Sequence, residues 1–297
     1  MDSKLKEKIA MLFLPILRIY NFMQIKKYEI HLLDTEASLN LLDENDFSVS
    51  RFGDGEFDLI NGKSLKFQKY DENLSLRLKE ILAIKEENQN LKVCIPCAYK
   101  YLKDFNKKSQ LFWIMYFKNN RKKLSFLLDK KYQYLDSQIT RIYINRKSIK
   151  QSEKYFQSWK KIWNEKDLLI VEGEKSRFGV GNDLFANART VLRILCPAEN
   201  AFERYEKIFQ AIKDNAKDKM VLIVLGPTAT VLAYDLAKCG IRALDIGNMD
   251  MEYEWFLRKT SEKVNIEGKY SIEVNDGMVV KDSNNSEYFS QILCTIK

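Results

Sequence analysis

Two apolar runs constrain the fold of this chain more than any other feature of its sequence. Asp167-Leu-Leu-Ile-Val-Glu172 and Met220-Val-Leu-Ile-Val-Leu225 are short and rich in aliphatic residues. Runs of this kind are typical of strands that helices cover on both faces. Amphipathic segments separate such runs along the chain. The sequence therefore predicts an α/β fold, with a Rossmann-like, mostly parallel sheet flanked by helices.

The same alternation sets the predicted order of elements from residue 47 onward. We predict strands at 47–52, 91–95, 124–128, 167–172, 190–196, 220–225 and, as the last one, 242–246. We predict helices at 74–84, 152–163, 201–216 and from the turn at 226–230 to about 238. Asn275-Asp-Gly277 indicates a late hairpin turn.

Length, charge and cysteine content narrow the setting and the partners. A chain of 297 residues is enough for one broad domain, which we place at 35–297, after an N-terminal amphipathic helical segment at 1–34. The net charge of +8 favours anionic partners, but we recognise no nucleic-acid-binding module and expect no nucleic acid. Five cysteines and no ordinary secretory leader favour a cytoplasmic protein. We interpret Cys94 and Cys97 as packing at a strand end rather than as a redox or zinc site.

The N-terminal segment carries an apolar stretch at 9–17 between lysine-rich flanks. This stretch falls short of the roughly 20 residues that span a bilayer. One interpretation is an amphipathic helix on the anionic inner face of the plasma membrane, with cations at Lys4, Lys6, Lys8, Arg18, Lys26 and Lys27. The alternative is a helix packed on the domain or on a second subunit, which would make a homodimer.

Four unusual loops fall where a parallel sheet binds its ligands, beyond the carboxyl ends of its strands. They are 51–56, 172–183, 226–230 and 247–254. In the third loop, Gly226 and Thr228 open a helix, whose free N–H groups and threonine hydroxyl would suit a phosphate. The alternative is an ordinary helix start with Thr228 as its N-cap.

The loop 172–183 is long for an ordinary connection, and it is rich in glycine and charge. Lys175 and Arg177 could hold a pyrophosphate, while Asn182 or Asp183 accepts hydrogen bonds from sugar hydroxyls. The alternative is a solvated surface loop.

The first loop contains Arg51-Phe-Gly-Asp-Gly-Glu56 directly after a predicted strand. Asp54 and Glu56 are hard oxygen ligands of the kind that Mg²⁺ and Mn²⁺ combine with phosphate oxygens and water. Arg51 would add a fixed donor beside them. The alternative is a tight surface turn whose two acids remain hydrated.

Taken together, four segments resemble the bacterial GT-D type glycosyltransferases, and the resemblance spans roughly residues 35–295. The segments are Ser-Val-Ser-Arg-Phe-Gly-Asp-Gly-Glu-Phe, Glu-Gly-Glu-Lys-Ser-Arg-Phe-Gly-Val-Gly-Asn-Asp-Leu-Phe, Leu-Gly-Pro-Thr-Ala-Thr-Val-Leu-Ala-Tyr-Asp-Leu and Asp-Ile-Gly-Asn-Met-Asp-Met-Glu-Tyr-Glu-Trp. The resemblance implies a UDP-sugar donor, a Mn²⁺ or Mg²⁺ ion, and transfer of a hexose from UDP-hexose to a bacterial surface glycan or glycoprotein.

The resemblance also implies roles for individual residues. Asp54 and Glu56 match its metal motif, and Thr228 would lie near the donor phosphates. Arg51, Glu172, Arg177 and Asn182 match the rim of the donor site, to which we add Gly53, Lys175 and Gly226 as donor-binding candidates. This chain has Asn248 where the family would lead us to expect a histidine, and asparagine cannot accept a proton in its place. The base would then be Asp250, which we favour, or Glu252 or Glu254.

Two alternative functions stay open at this point. A Rossmann-like methyltransferase, or another nucleotide-binding transferase, would need no metal at Asp54 and Glu56. A non-catalytic basic binding protein would rest on the net charge and on segments such as 119–123.

The aromatic stretch 111–117 could stack on acceptor sugars, although core or dimer packing is the use we favour.

Overall fold

The structure is a computed structural model that describes residues 9–84 and 90–297. The strands are β1 Ser48–Arg51, β2 Leu91–Ile95, β3 Leu135–Asp136, β4 Asp167–Gly173, β5 Thr190–Cys196, β6 Met220–Val224, β7 Ala243–Asp245 and β8 Ile292–Thr295. The α-helices are α1 Leu14–Lys27, α2 Thr35–Glu44, α3 Asp54–Ile60, α4 Glu72–Leu82, α5 Lys107–Leu127, α6 Ile149–Ile162, α7 Tyr205–Asn215, α8 Pro227–Lys238, α9 Met249–Leu257 and α10 Ser286–Ser290. Short 3-10 turns occupy Cys97–Tyr99, Ser137–Thr140 and Ala201–Arg204.

The strands form one sheet in the order β3-β2-β1-β7-β6-β4-β5-β8, and every pairing is parallel. From β1 the chain winds outward through β2 to the edge at β3, and it then crosses to β4 on the other side. The winding therefore reverses where β1 lies beside β7. Such a reversal opens a crevice at the carboxyl ends of the two strands, where parallel sheets bind their ligands.

Helices cover both faces of the sheet, as the apolar strands predict. Along β4, Leu168 and Ile170 pack towards α2, α6 and α9, whereas Leu169 and Val171 pack towards α7 and α8. Alternate residues of a strand point to opposite faces, so β4 is apolar at almost every position. On the second face α3, α4 and α5 cover β2, and α1 packs outside α5 as an additional layer.

The predicted α/β class is confirmed, and the sheet is parallel throughout rather than mostly so. The bounds of β2 and β5 match the prediction residue for residue, and the predicted β1, β4, β6 and β7 and the four helices lie within a few residues of it. The helix predicted at 201–216 opens with a 3-10 turn before α7.

The strand predicted at 124–128 is wrong, because these residues belong to the end of α5 and the turn after it. Leu124 belongs to a buried stripe at helical spacing with Trp113, Ile114 and Phe117. A five-residue apolar run cannot show that period by itself, so it was ambiguous between strand and helix. The sheet edge on this side is instead β3, which is only two residues long.

Two further expectations near the carboxyl terminus are corrected. The last strand is β8, not the strand at 242–246; its half-buried edge position leaves it without the apolar signal of a central strand. A turn forms around Asn275–Gly277, but no strand flanks it within the described residues 246–291. The loop is closed by the Ser271 N–H, which donates to the Gly277 carbonyl oxygen at 2.8 Å.

Cys94 and Cys97 are buried and unbridged at the end of β2, which confirms their packing role. Of the predicted N-terminal cations, Lys4, Lys6 and Lys8 lie outside the described residues. No helix in the described ranges 9–84 and 90–297 is long and apolar enough to cross a membrane.

Candidate active site

A buried ion pair holds the crevice between β1 and β7 together. Arg51 at the end of β1 donates from Nη2 to Oδ1 of Asp245 at 2.8 Å, and from Nε to the Asp245 carbonyl oxygen at 2.5 Å. Its Nη1 donates to the Ser137 carbonyl oxygen and to Oγ1 of Thr140. All three guanidinium nitrogens are thus engaged inside the protein. Arg51, expected on the donor rim, joins the ends of β1 and β7 to the turn after β3.

Thr230 and Gly247 complete this set of contacts around Arg51, which we call the clamp. The Thr230 hydroxyl, in the first turn of α8, lies 2.9 Å from the Arg51 carbonyl oxygen and 3.3 Å from Oδ2 of Asp245. Gly247 has a φ of 49°, and a Cβ placed there would lie 2.1 Å from Nη2 of Arg51. Only glycine fits that position without displacing the guanidinium.

Asp54 and Glu56 lie just beyond the clamp, in the first turn of α3. The Gly53 N–H donates to Oε2 of Glu56 at 2.6 Å, so the Glu56 carboxylate caps the start of α3. Burial and the nearby Asp245 carboxylate raise the pKa of Glu56 to about 7. Asp54 is exposed to solvent, yet the protein around it partly desolvates its carboxylate and raises its pKa, against the opposite effect of Arg141.

Arg141 brings a second set of charges towards Asp54. It forms an ion pair with Glu273, which also pairs with Lys263 at 2.5 Å. Burial acts to raise the pKa of Glu273, but the two cations outweigh it and hold this pKa at about 2. Asn248 Nδ2 donates to Oε1 of Glu273 at 2.7 Å. Asn248 therefore orients a carboxylate and, being an amide, takes no proton itself.

Glu252 is fully buried behind this group. Its Oε2 accepts from the backbone N–H groups of Tyr143 and Ile144 at 2.8 and 2.9 Å. Its Oε1 has no hydrogen-bond partner among the described residues, although Nη1 of Arg141 lies 3.8 Å away. Burial raises the pKa of Glu252, against the lowering effect of Arg141.

Asp250 and Glu254 belong to a separate buried cluster with Asn182 and Lys269. Asn182 Nδ2 donates to Asp250 Oδ1 at 2.7 Å and to Glu254 Oε1 at 2.8 Å. Lys269 Nζ lies 2.5 Å from Asp250 Oδ2 and 3.2 Å from Glu254 Oε1. Both oxygens of Asp250 are therefore engaged. These contacts favour a positioning role for Asp250 over the proton-accepting role that we expected from the sequence.

The loop 172–183 uses most of its charged residues to hold itself in place. Glu172 is fully buried and accepts from Arg193 Nη1 at 2.6 Å and from the Phe178 N–H at 2.7 Å. Arg177 donates to the carbonyl oxygens of Gly268 and Lys281. Lys175 alone of the predicted donor-site residues in this loop has an exposed side chain. Asn182, Glu172 and Arg177 thus fix the conformation of the loop after β4.

The turn before α8 has a positive φ at Gly226, and the Phe67 ring covers it. Gly226 has a φ of 53°, and a Cβ there would lie 2.4 Å from Cε2 of Phe67. Gly226, not Thr228, is the N-cap residue of α8, so the capping role considered for Thr228 is wrong. The Thr228 hydroxyl is buried and has no hydrogen-bond partner within the described part of the chain.

Residues 62–71, which we call the flap, lie across this part of the site. Leu65 of the flap lies beside Gly55 in the Asp54 loop, and Phe67 lies over Gly226. The flap is fixed to the opposite side by Asn200, whose N–H donates to the Phe67 carbonyl oxygen and whose Oδ1 accepts from the Lys69 N–H. The flap therefore covers the α8 turn.

The donor set fits a divalent cation only in part. Among the residues the structure describes, no three histidine, cysteine, aspartate or glutamate side chains converge into a ready metal site. Asp54 is open to solvent, and Glu56 keeps one oxygen outside its capping bond. One or two carboxylates completed by phosphate oxygens and water is the usual environment of Mg²⁺. The pair suits a cation that arrives with a diphosphate.

Sequence reasoning missed Arg141, Asp245, Glu273 and Lys269. Arg141, Glu273 and Lys269 are single charges outside the quoted segments, and their partners lie far along the chain or in an unremarkable loop, whereas Asp245 opens the fourth quoted segment but was given no role. Asp245 carried one usable signal, because it ends an apolar strand two residues before Gly247, much as Glu172 lies near the end of β4 directly before Gly173.

A family model described as the glycosyltransferase GT-D fold matches residues 49–274. The chain is 41% identical over 270 residues to a probable glycosyl transferase Gly of Streptococcus gordonii, and 35% identical over 261 residues to the glycosyltransferase GlyD of Streptococcus pneumoniae. These matches cover 90% and 88% of this chain. The chain spans only 39% and 32% of the length of those two relatives.

Solved structures give the same result for the fold. One, described as a domain of unknown function 1792, is 39% identical and superposes with a TM-score of 0.87 over 93% of this chain and 100% of the other. Another, described as a new glycosyltransferase (DUF1792) from Streptococcus sanguinis, has 39% identity and a TM-score of 0.85, with 91% and 100% of the two chains covered.

The Lys269 cluster gives a test of the buried network. Lys269→Met leaves buried Asp250 without its cation and Glu254 with only the Arg258 contact at 3.5 Å, so we expect the free energy of unfolding to fall by about 3 kcal/mol. Lys154→Met removes an exposed ion pair with Glu36 and serves as the control, with an expected loss below about 1 kcal/mol. Urea unfolding followed by circular dichroism measures both. Equal stability of the two variants would contradict the buried-cluster assignment.

Proposed function

The chain belongs to the family of GT-D-fold glycosyltransferases, and from this premise we propose that it transfers a hexose from a UDP-sugar to a bacterial surface glycan or glycoprotein with the help of Mn²⁺ or Mg²⁺. One observation carries the proposal. Solvent-open Asp54 lies at the reversal point of the sheet, and the flap that touches Gly55 also covers the start of α8, where the buried Thr228 hydroxyl has no partner among the described residues. A diphosphate with its cation would suit both features.

Asp54 and Glu56 are the residues that would hold the cation. When bound, the cation offsets the charge that develops on the departing nucleoside diphosphate. Arg51 contributes indirectly, because its ion pair with Asp245 fixes the strand end from which the Asp54 loop starts. Arg141 is open to solvent for 32% of its side chain, so it can reach a phosphate oxygen while keeping its ion pair with Glu273.

The α8 turn would receive a phosphate of the donor. The first backbone N–H groups of a helix are free, and the helix dipole favours an anion there. Thr228 adds a hydroxyl that otherwise bears the cost of burial without a hydrogen bond. Because Phe67 lies over Gly226, the flap must move for the donor to reach this turn. Its return would then exclude water from the reacting bond.

The acids of α9 differ in what they can do for proton transfer. Asp250 and Glu254 are held by Lys269, so we propose them as positioning residues for Asn182 and the loop 172–183. Glu252 retains one unpartnered oxygen in the described structure, but that oxygen is buried. Loss of activity in Asp250→Asn would therefore identify a base only if the variant kept the unfolding free energy of the parent.

An aromatic shelf lies beside Asp54 on the acceptor side. The Tyr116 hydroxyl donates to the Asp54 carbonyl oxygen at 3.4 Å, and the Phe112 ring stacks on Tyr116 with centroids 6.1 Å apart. Phe112 is about half exposed, whereas Leu111, Trp113, Ile114 and Phe117 pack in the core. Core packing thus accounts for most of the stretch 111–117, and Phe112 with Tyr116 is left as a platform for an acceptor sugar.

Cation binding tests the first part of the proposal. Glu56→Gln keeps an oxygen for the Gly53 N–H and thus the fold, but it removes the charge, so we expect Mn²⁺ affinity in the presence of UDP to fall roughly tenfold. Asp54→Asn should lose at least as much. Electron paramagnetic resonance of free Mn²⁺ measures binding without any turnover. Asp58→Asn, on the same helix but paired with Lys63, is the control and should stay near the parent.

Donor binding tests the α8 turn. Thr228→Val removes a buried hydroxyl that has no partner in the described structure, so we expect unchanged or slightly higher stability and roughly tenfold weaker binding of UDP with Mn²⁺. Thr230→Val is the matched contrast. It leaves the Arg51 carbonyl oxygen unpaired and should cost about 1–3 kcal/mol of unfolding free energy. Calorimetric titration and thermal melts separate the two effects. Full UDP affinity in Thr228→Val would remove the turn from the donor site.

Acceptor binding tests the shelf. We expect Phe112→Ala to raise the KM for an aryl hexoside acceptor roughly fivefold, because it removes the stacking surface. The slow hydrolysis of the UDP-sugar should stay unchanged. Phe289→Ala removes a similarly exposed ring on α10 and is the control. If the two variants gave the same acceptor KM, the shelf would have no part in acceptor binding.

A further inference from the structure

Helix α1 is apolar both on the side that packs on α5 and on the side that faces away from it. Two polar residues on the inner side bind α5: Arg18 Nε donates to Gln110 Oε1 at 2.8 Å, and Asn21 Oδ1 accepts from Arg121 Nη2 at 2.9 Å. Leu14 is buried against Leu111 of α5. A helix that packs on a domain usually turns its apolar stripe inward and its polar residues to the solvent. Here the side directed away from α5 is apolar.

This outer face comprises Leu12, Phe13, Ile16, Ile19 and Met23, whose exposed fractions lie between 52% and 79%. Ile16, Ile19 and Met23 recur at intervals of three and four, so they share one side of α1, and Leu12 and Phe13 directly precede that helix. A contiguous apolar surface of this kind usually marks a site of contact with another molecule or with a membrane.

The charges on α1 and α5 are of one sign. Neither residues 9–28 nor α5 contains an aspartate or a glutamate. Lys26 and Lys27 end α1, and Lys118 and Lys122 line the groove of about 210 Å³ between α1 and α5, opposite Tyr20 and Gln24. An apolar strip bordered by lysines matches an anionic lipid surface, in which the strip enters the acyl boundary and the lysines meet phosphates.

The same charges argue against a second copy of this chain as the occupant. A symmetric dimer through the outer face would join two like surfaces, and neither residues 9–28 nor α5 of the partner would offer these lysines a carboxylate. We propose that α1 attaches the protein to the surface of an anionic phospholipid bilayer, with its outer face in the lipid and Lys26, Lys27, Lys118 and Lys122 at the headgroups.

Sedimentation with vesicles tests this attachment on the full chain. We expect the protein to bind vesicles of phosphatidylcholine with phosphatidylglycerol, to leave phosphatidylcholine vesicles unbound, and to release from the anionic ones as salt increases. Ile16→Ser with Ile19→Ser should weaken the partition coefficient at least about tenfold. Lys26→Gln with Lys27→Gln should weaken it about fivefold per lysine.

Leu76→Ser is the matched control, because it removes a comparably exposed apolar side chain from α4 and should leave binding unchanged. Thermal melts confirm that each variant is folded. Equal binding to both kinds of vesicle, or equal binding of the Ile16/Ile19 and Leu76 variants, would overturn the proposal. So would a dimer in analytical ultracentrifugation that the Ile16/Ile19 variant dissociates, combined with no vesicle binding. The assay uses no donor and no turnover, so its outcome is independent of the proposed transferase reaction.

Discussion

The Arg51–Asp245 ion pair is the interaction on which the geometry of the crevice depends. Two neighbouring strands, β1 and β7, end here, at the point where the winding of the chain through the sheet reverses. Only a side chain with several fixed donors can join β1, β7 and the turn after β3 at once, and the planar guanidinium of Arg51 does so. Thr230 extends the clamp to α8. The Asp54 loop and the α8 turn therefore start from one rigid point.

Charge around the crevice is divided between building the site and remaining open for a ligand. Glu172, Arg177 and Asn182 have their polar atoms engaged by protein partners, and they fix the loop after β4. Asp54 and Arg141 retain contact with solvent. A site that must hold a diphosphate needs this division, since buried paired charges give preorganisation and only the open ones can exchange water for phosphate.

The central strands and the first motif could be predicted from the sequence, because each carries its information locally. The apolar residues of β4 need covering on both faces, and Asp54 and Glu56 lie two positions apart. Edge elements could not be predicted, since β3 has two residues and β8 is half exposed. The partners of Asp250 could not be predicted either, because Lys269 is one lysine among many and its burial is decided by tertiary packing.

Helix α5 links the two surfaces that the structure leaves open. One side of it packs on α1 through Leu111 and Ile114, and another reaches the Asp54 loop through the Tyr116 hydroxyl. A lipid surface bound to α1 would thus hold the Asp54 loop at a fixed distance from the membrane, because closely packed helices deform little. An acceptor attached to the same membrane would then reach the aromatic shelf by diffusion along the membrane surface rather than through the solution. Attachment through α1 would in this way raise the effective concentration of such an acceptor without adding any contact to it.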